Sequence, residues 1–408
     1  MNSTTSKNVC IKYIIGLLVI LFMIYFNNNN NLEIFQNYRY SNNSQNSCIR
    51  LGAFIFIIAM MSYYFNNNVE MFGNYKSSCD SLPNAIQHAL DTRDIKKVND
   101  DSWDYYLPCG YNRCESDILS FKNNKTGKKI FMIDGCDWVA SKVGLWKLIK
   151  KEFGRYSHYI MPETFILSDS EDIENFKKFY LEKKQENSDC KFILKNFKQR
   201  QEGLKLANDL TTIFKSVGDG FKIVQDFLEN PYIVSGRKVN LRYYLLITCY
   251  KGEIKGYLYR DGFVYYTPKF FKKNSMDFKE TITTGYIDRQ VYEENPLTTQ
   301  DFRDKIGKEN ATKFDNNVVL TMKAVMKALS KEICSNKKLD QHTRFQIFGA
   351  DIAPDENLNV TIMEINKGPD IGFKDERDGV LKKNMVEDVF KIIEPLEGDL
   401  PHNFEKIF

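Results

Sequence analysis

The chain has 408 residues, 43% of them hydrophobic and 27% charged, with a net charge of +4. That is the composition of a folded protein long enough for two or three domains, and it excludes a disordered chain. The small charge gives no case for nucleic acid, and zinc-finger spacings, RNA-binding signatures and arginine-rich tracts are missing from the sequence. It does not oppose an acidic protein tail as partner.

Residues 1–80 are a distinct object. Two apolar runs, Tyr13–Phe26 and Leu51–Phe65, are each preceded by Cys-Ile-basic (Cys10-Ile11-Lys12, Cys48-Ile49-Arg50) and followed by an Asn tract. This is a duplication of about 38 residues, too short for a solenoid. Each run falls short of the ~20 residues that comfortably span a bilayer, but snorkelling Lys12 and Arg50 or a thin membrane would close the gap. The expectation is a membrane anchor, with the rest of the chain on the cytosolic side. Flanking charges do not fix the orientation.

Residues 81–165 carry Trp103, Tyr105, Tyr106, a strand over Lys128–Ile133 and a helix over Lys142–Phe153, and are expected to form a small leading α/β subdomain. A larger body is expected over 166–395, and a tail over 396–408. Within the body, Lys191–Lys195 reads as a strand ending in Lys, running into a basic loop through Gln201 and Gly203. Lys222–Asn230 is an extended run stopped by Asn-Pro. In Gly236–Thr248, alternation places Val239, Leu241, Tyr243 and Leu245 on one face of a half-buried strand and Lys238, Asn240 and Arg242 on the other. Two cations and an amide on such a face call for anionic partners such as phosphate. Ile254–Arg260 and Phe263–Tyr266 flank Asp261-Gly262, a strong tight-hairpin signal that places Arg260 at a strand end. Tyr266–Asp288 reads as a lysine- and threonine-rich loop.

Apolar spacing predicts a helix over 317–334 and a buried stripe at Met385, Val389, Phe390 and Ile393. His342 reads as a surface or capping residue that could touch substrate. The most informative segment follows it: Phe345–Ile352, a short turn, then Thr361–Pro369. Two strand-like runs each carry one acid, Asp351 and Glu364, with Asn366 two residues on. Mg²⁺ is usually held by one or two carboxylates plus substrate phosphates, and strands hold carboxylates rigidly. The nine cysteines are scattered and odd in number, so reduced thiols facing the cytosol are expected.

Set in order, these pieces resemble the tubulin-tyrosine ligase-like family of ATP-grasp enzymes, from about Trp138 to about Ile393. The residues that carry the likeness are Ser141–Trp146, Met161–Leu167, Ile193-Leu194-Lys195, Val224–Pro231 followed by Gly236–Arg242, Tyr259–Gly262, and Glu364-Ile365-Asn366 with Pro369. The resemblance implies an α+β ATP-grasp fold, two α/β subdomains sandwiching ATP. It implies nucleotide contacts from Lys142, Lys195, Gln201, Gly203, Gln225, Asp226, Phe227, Lys238, Asn240 and Arg242. It implies Mg²⁺ on Asp351, Glu364 and Asn366, and charge neutralisation by Lys238, Arg242 and Arg260. The implied reaction converts a carboxylate to an acyl phosphate that an amine displaces, leaving an amide. A free amino acid and a protein substrate, tubulin or another acidic tail, are the implied partners.

The sequence departs from the family pattern at four places. Asn240 stands for an Asp, Lys195-Asn196 for Lys-Pro, Thr283-Thr284 for Thr-Asn, and the loop ending at Gly203 keeps one of two glycines. Two alternatives follow. One is a membrane-anchored, non-catalytic family member, and the other an ATP-grasp ligase acting on a non-tubulin peptide.

Overall fold

The computed structural model describes residues 73–109, 126–196, 203–285, 287–394 and 400–408. Among these no helix is long and apolar enough to cross a membrane. The anchor expected in residues 1–80 falls almost wholly outside the described residues.

Two sheets organise the described chain. The strands of the large one are β1 (Asn74–Lys76), β2 (Lys96–Lys97), β3 (Tyr105–Tyr106), β4 (Lys129–Ile130), β9 (Ile233–Val234), β10 (Arg237–Tyr250), β11 (Glu253–Tyr266), β12 (Thr343–Pro354), β13 (Val360–Asn366) and β14 (Phe404–Lys406). They run in the order β14-β11-β10-β12-β4-β3-β1-β2, with β13 on β12 and β9 on β10. The small sheet comprises β5 (Thr164–Ile166), β6 (Phe192–Lys195), β7 (Leu204–Ala207) and β8 (Ile223–Asp226), in the order β5-β8-β6-β7. Strands of the leading segment thus continue the same sheet as β10 and β12, in parallel pairing.

The small sheet has two unlike faces because its side chains alternate. Phe192, Leu194, Ala207, Val224 and Phe165 pack under the helices Ser170–Glu186 and Leu210–Gly218, against Phe176 and Ile213. Ile193, Lys195, Leu204, Leu206, Ile223 and Gln225 form the other face, at matching rungs of β6, β7 and β8.

Several expectations need correction. The strand at Lys128–Ile133 is only Lys129–Ile130. Helix 317–334 is Lys308–Leu329, because its buried stripe extends back to Phe314. Strand β10 is buried on both faces for most of its length, its side chains sharing the core with those of the helices Lys308–Leu329 and Glu376–Ile393. Asp261-Gly262 makes no hairpin. The reversal is at Lys251 (φ 50°) and Gly252 (φ 79°), two successive positive φ values that suit a tight hairpin turn. Asp261-Gly262 lies inside β11 at a bulge, where Tyr243 opposes Gly262 and Leu245 opposes Leu258. The Asp261 carboxylate there accepts from Thr299 Oγ1 at 2.7 Å and from the Gln300 amide at 3.0 Å, fixing the start of the helix Thr299–Ile306. The thiols are not all reduced: Cys79 is bonded to Cys109, and Cys249 to Cys334, while Cys190 is a buried free thiol. Folding brings together cysteines 30 and 85 residues apart, which no spacing rule would pair.

Candidate active site

Three adjacent strands set the centre. Arg242 on β10 pairs with Asp351 on β12, and Asp351 pairs with Glu364 on β13. Matched rungs point to one face, so the three form a row across the sheet. Arg242 Nε and Nη2 donate to the two Asp351 oxygens at 2.5 and 2.8 Å. Gly349 makes room for this fork: a Cβ there would lie 3.0 Å from Arg242 Nη1 and from Pro369. Asn366 Nδ2 bridges the acids, at 3.3 Å from Asp351 Oδ2 and 3.2 Å from Glu364 Oε1. Lys142 Nζ lies 3.9 Å from Glu364 Oε2. Its helix is started by Ser141, whose Oγ accepts from the Gly144 amide at 2.9 Å.

The two acids are electrostatically unlike. Burial raises the Asp351 carboxyl above its ordinary range, opposed by Arg242. Burial would raise Glu364 as well, but Lys142, Lys195 and Arg242 outweigh it and hold Glu364 below the usual range.

A second bulge joins the row to the small sheet. Asp351 pairs with Glu364 and Ile352 with Ile362, leaving Met363 out of the ladder. The Met363 carbonyl instead accepts from Lys195 Nζ at 3.3 Å. Lys195 is buried, and burial pushes its amine down to about 8. Burial pushes Lys238 further, to about 7, helped by the charges of Lys191 and Lys195. Among the described residues neither lysine has a carboxylate within ion-pair distance. Lys238 Nζ lies 4.3 Å from the centre of the Phe227 ring. Nearby, Gln225 donates Nε2 to Thr164 Oγ1 at 2.8 Å, yet among the described residues its buried Oε1 has no donor, and the same is true of Asn240 Oδ1.

A family model described as the tubulin-tyrosine ligase family matches residues 121–401. The chain belongs to this family. Among curated relatives, a probable tubulin polyglutamylase of Rattus norvegicus is 27% identical over 42% of this chain and 38% of its own length. A probable alpha-tubulin polyglutamylase of Tetrahymena thermophila is 23% identical over 60% of this chain and 63% of its own. A tubulin monoglutamylase of Homo sapiens is 24% identical over 76% of this chain and 27% of its own. The matched span therefore covers less than two thirds of each relative.

Within this tubulin-tyrosine ligase family member, some of the residues predicted for the site come together and others do not. Lys142, Lys195, Arg242, Asp351, Glu364 and Asn366 are neighbours in the row, and Lys238 lies on the same face of β10 as Arg242, near Lys195. Gly203 is in place beside β7, its carbonyl accepting from the Asn196 amide at 2.9 Å, and Gln201 lies outside the described residues. The Asp226 side chain does not face the site. It pairs with Phe192 on the outer face, and its carboxylate meets Lys183 Nζ at 2.9 Å. Arg260 is exposed at the β11 bulge and takes no part in the hydrogen bonds of the row. His342 is buried nine residues before Asp351, about 30 Å away along the strand. Burial first, and then Lys128 and Arg344, lower its pKa. Sequence reasoning missed Lys191 and the Met363 carbonyl. The first gave only the signal of a lysine opening an apolar run, and the second gave none.

The residues fit a magnesium nucleotide. No group of three or more His, Cys, Asp and Glu side chains converges among the described residues, so a closed all-protein metal cage is not what they build. Two carboxylates and an amide suit Mg²⁺, which keeps waters and phosphate oxygens as its other ligands. Buried ammonium groups without carboxylates suit the phosphates. The orphaned acceptors on Gln225 and Asn240 suit the amino and hydroxyl donors of a nucleoside.

Proposed function

We propose that the chain is an ATP- and Mg²⁺-dependent ligase joining an amino acid to a protein carboxylate by an amide bond, with tubulin or another acidic protein tail as acceptor. The observation that carries this reading is the row Arg242–Asp351–Glu364, closed by Asn366 and faced by the buried Lys195 and Lys238. Mg·ATP would supply the phosphoryl group that turns a carboxylate into an acyl phosphate, which an amine can displace. Asp351, Glu364 and Asn366 would hold the cation. Lys195 and Lys238 would balance phosphate charge, since among the described residues neither has a carboxylate within ion-pair distance. Arg242 orients Asp351 through its planar two-pronged contact. Arg260, exposed beside the row's neighbouring strand, would be free to meet an oxyanion of the acceptor or of the amino acid. The relatives' names support glutamate as the amino acid.

The test uses the full chain with Mg·ATP, tubulin and each labelled amino acid in turn, following label in protein together with phosphate release. The reading expects label from one amino acid with matching phosphate. Glu364→Gln is expected to lower that rate by about 10²-fold or more with an unchanged melting temperature. Undiminished ligation in this variant would sink the metal assignment. ATP binding without label or phosphate would favour a non-catalytic family member, the reading that Asn240 and the reduced glycine loop support. Membrane attachment through residues 1–80, with the ligase on the cytosolic side, is part of the proposal. A chain of residues 81–408 that still sediments with membranes would refute that part.

A further inference from the structure

Lys191 immediately precedes β6 yet is only 2% exposed. Its Nζ donates to the backbone carbonyls of Lys273 and of Ser275, the latter at 3.1 Å. It also lies 4.7 Å from the centre of the Phe227 ring, so that ring carries Lys191 and Lys238 together. Among the described residues no carboxylate is within ion-pair distance of Lys191. A buried ammonium satisfied by two neutral acceptors is expensive, and an apolar side chain of similar length would cost less. The contact therefore needs a reason other than stability.

The two carbonyls belong to a strap that leaves β11 at Tyr266 and returns to it at Thr284. The strap is laid against β10 by the Thr267 amide on the Lys238 carbonyl (3.1 Å) and the Phe271 amide on the Gly236 carbonyl (2.8 Å). It folds on itself through the Lys269 amide and the Lys279 carbonyl (2.8 Å), and the Thr284 amide closes it on the Tyr266 carbonyl at 3.0 Å. Its short helix Phe278–Thr281 and Ile282 then pack on Ile193, Leu206 and Phe227 of the small sheet. Ile193 and Lys195 share a face of β6. The apolar wall built by the strap thus adjoins the lysines assigned to phosphate, and Lys191 is a buried tie between the small sheet and the strap.

We propose that Lys191 is a positioning residue for the nucleotide. It pins the strap at Lys273–Ser275, so that Phe278, Ile282 and Phe227 form a fixed apolar wall for the base of an adenine nucleoside triphosphate. The assignment rests on the ATP-dependent reading above. Lys191 need not touch the nucleotide. Losing it would leave the wall to be ordered at the expense of binding energy.

The test compares the full chain with Lys191→Met, which keeps an unbranched stem and removes the ammonium. Amide hydrogen exchange of nucleotide-free protein is expected to quicken about tenfold over residues 267–284 and to be unchanged in β10 and β12. Binding of Mg·ATP is expected to weaken about tenfold, and KM for ATP to rise by that factor with kcat within about twofold. Lys191→Arg, which can still donate to both carbonyls, is expected to restore much of the protection and the affinity. Unchanged exchange in the strap overturns the proposal. So does a loosened strap with unchanged ATP affinity, which would make the tie structural only while leaving the ligase reading intact. A wild-type chain that binds no Mg·ATP overturns the ligase reading and this assignment with it.

Discussion

Lys238 shows at the scale of one residue how function is set against stability. Its amine is buried, without a carboxylate within ion-pair distance among the described residues, and pushed down to about 7. The unfolded chain therefore holds that proton more tightly than the folded one. Stability of the nucleotide-free protein should rise as pH rises from 7 towards the ordinary lysine value of 10.5, and be lowest below 7. Lys238→Met should raise its melting temperature by about 2–4 °C while abolishing tight ATP binding, as calorimetry and titration would register together. Ligand linkage has the opposite sign. A triphosphate favours the charged amine, so ATP affinity should be highest below pH 7. It should fall by up to about tenfold per unit above 7, a slope that Lys238→Met should flatten. Asn240 belongs to the same face, and its place there is readable in sequence. What could not be read is that its side-chain oxygen is buried without a donor among the described residues, because that depends on β11 and the strap.

Bulges decide the outcome at the scale of elements. The β11 bulge turns Asp261-Gly262 from a hairpin signal into a close contact. A Cβ on residue 262 would collide with the Arg242 carbonyl oxygen. Gly262→Ala should cost about 1–3 kcal/mol in urea unfolding and displace Arg242 from Asp351. The β12–β13 bulge frees the Met363 carbonyl for Lys195. Alternation along each run was legible, so Asp351, Glu364 and the Lys238–Arg242 face were found without coordinates. Bulges interrupt that alternation at places set by the neighbouring strand, and a single run carries no record of its neighbour.

The whole molecule depends on contacts made late in the chain. β14 covers the outer edge of β11, and Phe404 and Ile407 are buried in the main core. Phe404–Lys406 are thus part of the sheet and protect an edge that would otherwise invite pairing with another chain. Phe404→Ala should destabilise the protein by about 3–5 kcal/mol and promote aggregation on mild heating. The bond between Cys249 and Cys334 ties the end of β10 to the segment after the helix Lys308–Leu329. A disulfide typically contributes about 2–4 kcal/mol, so Cys249→Ser should lower the urea midpoint accordingly. An unchanged midpoint would mean the thiols are reduced in solution, as the cysteine count alone suggests.

The sequence by itself determined the family, the acid-bearing strands, the cationic strand face and the helix Lys142–Phe153. Each rests on local order, either a period of two or 3.6 or a short motif at fixed spacing. Tertiary structure decided the remainder. It set the rung-by-rung match of Arg242, Asp351 and Glu364, and turned Asp226 outward to Lys183. It left Arg260 at an exposed bulge, paired four cysteines, and made Lys191 a tie to the strap. These are relations between segments tens of residues apart. Their energies come from burial and register, which exist only once the sheets have assembled.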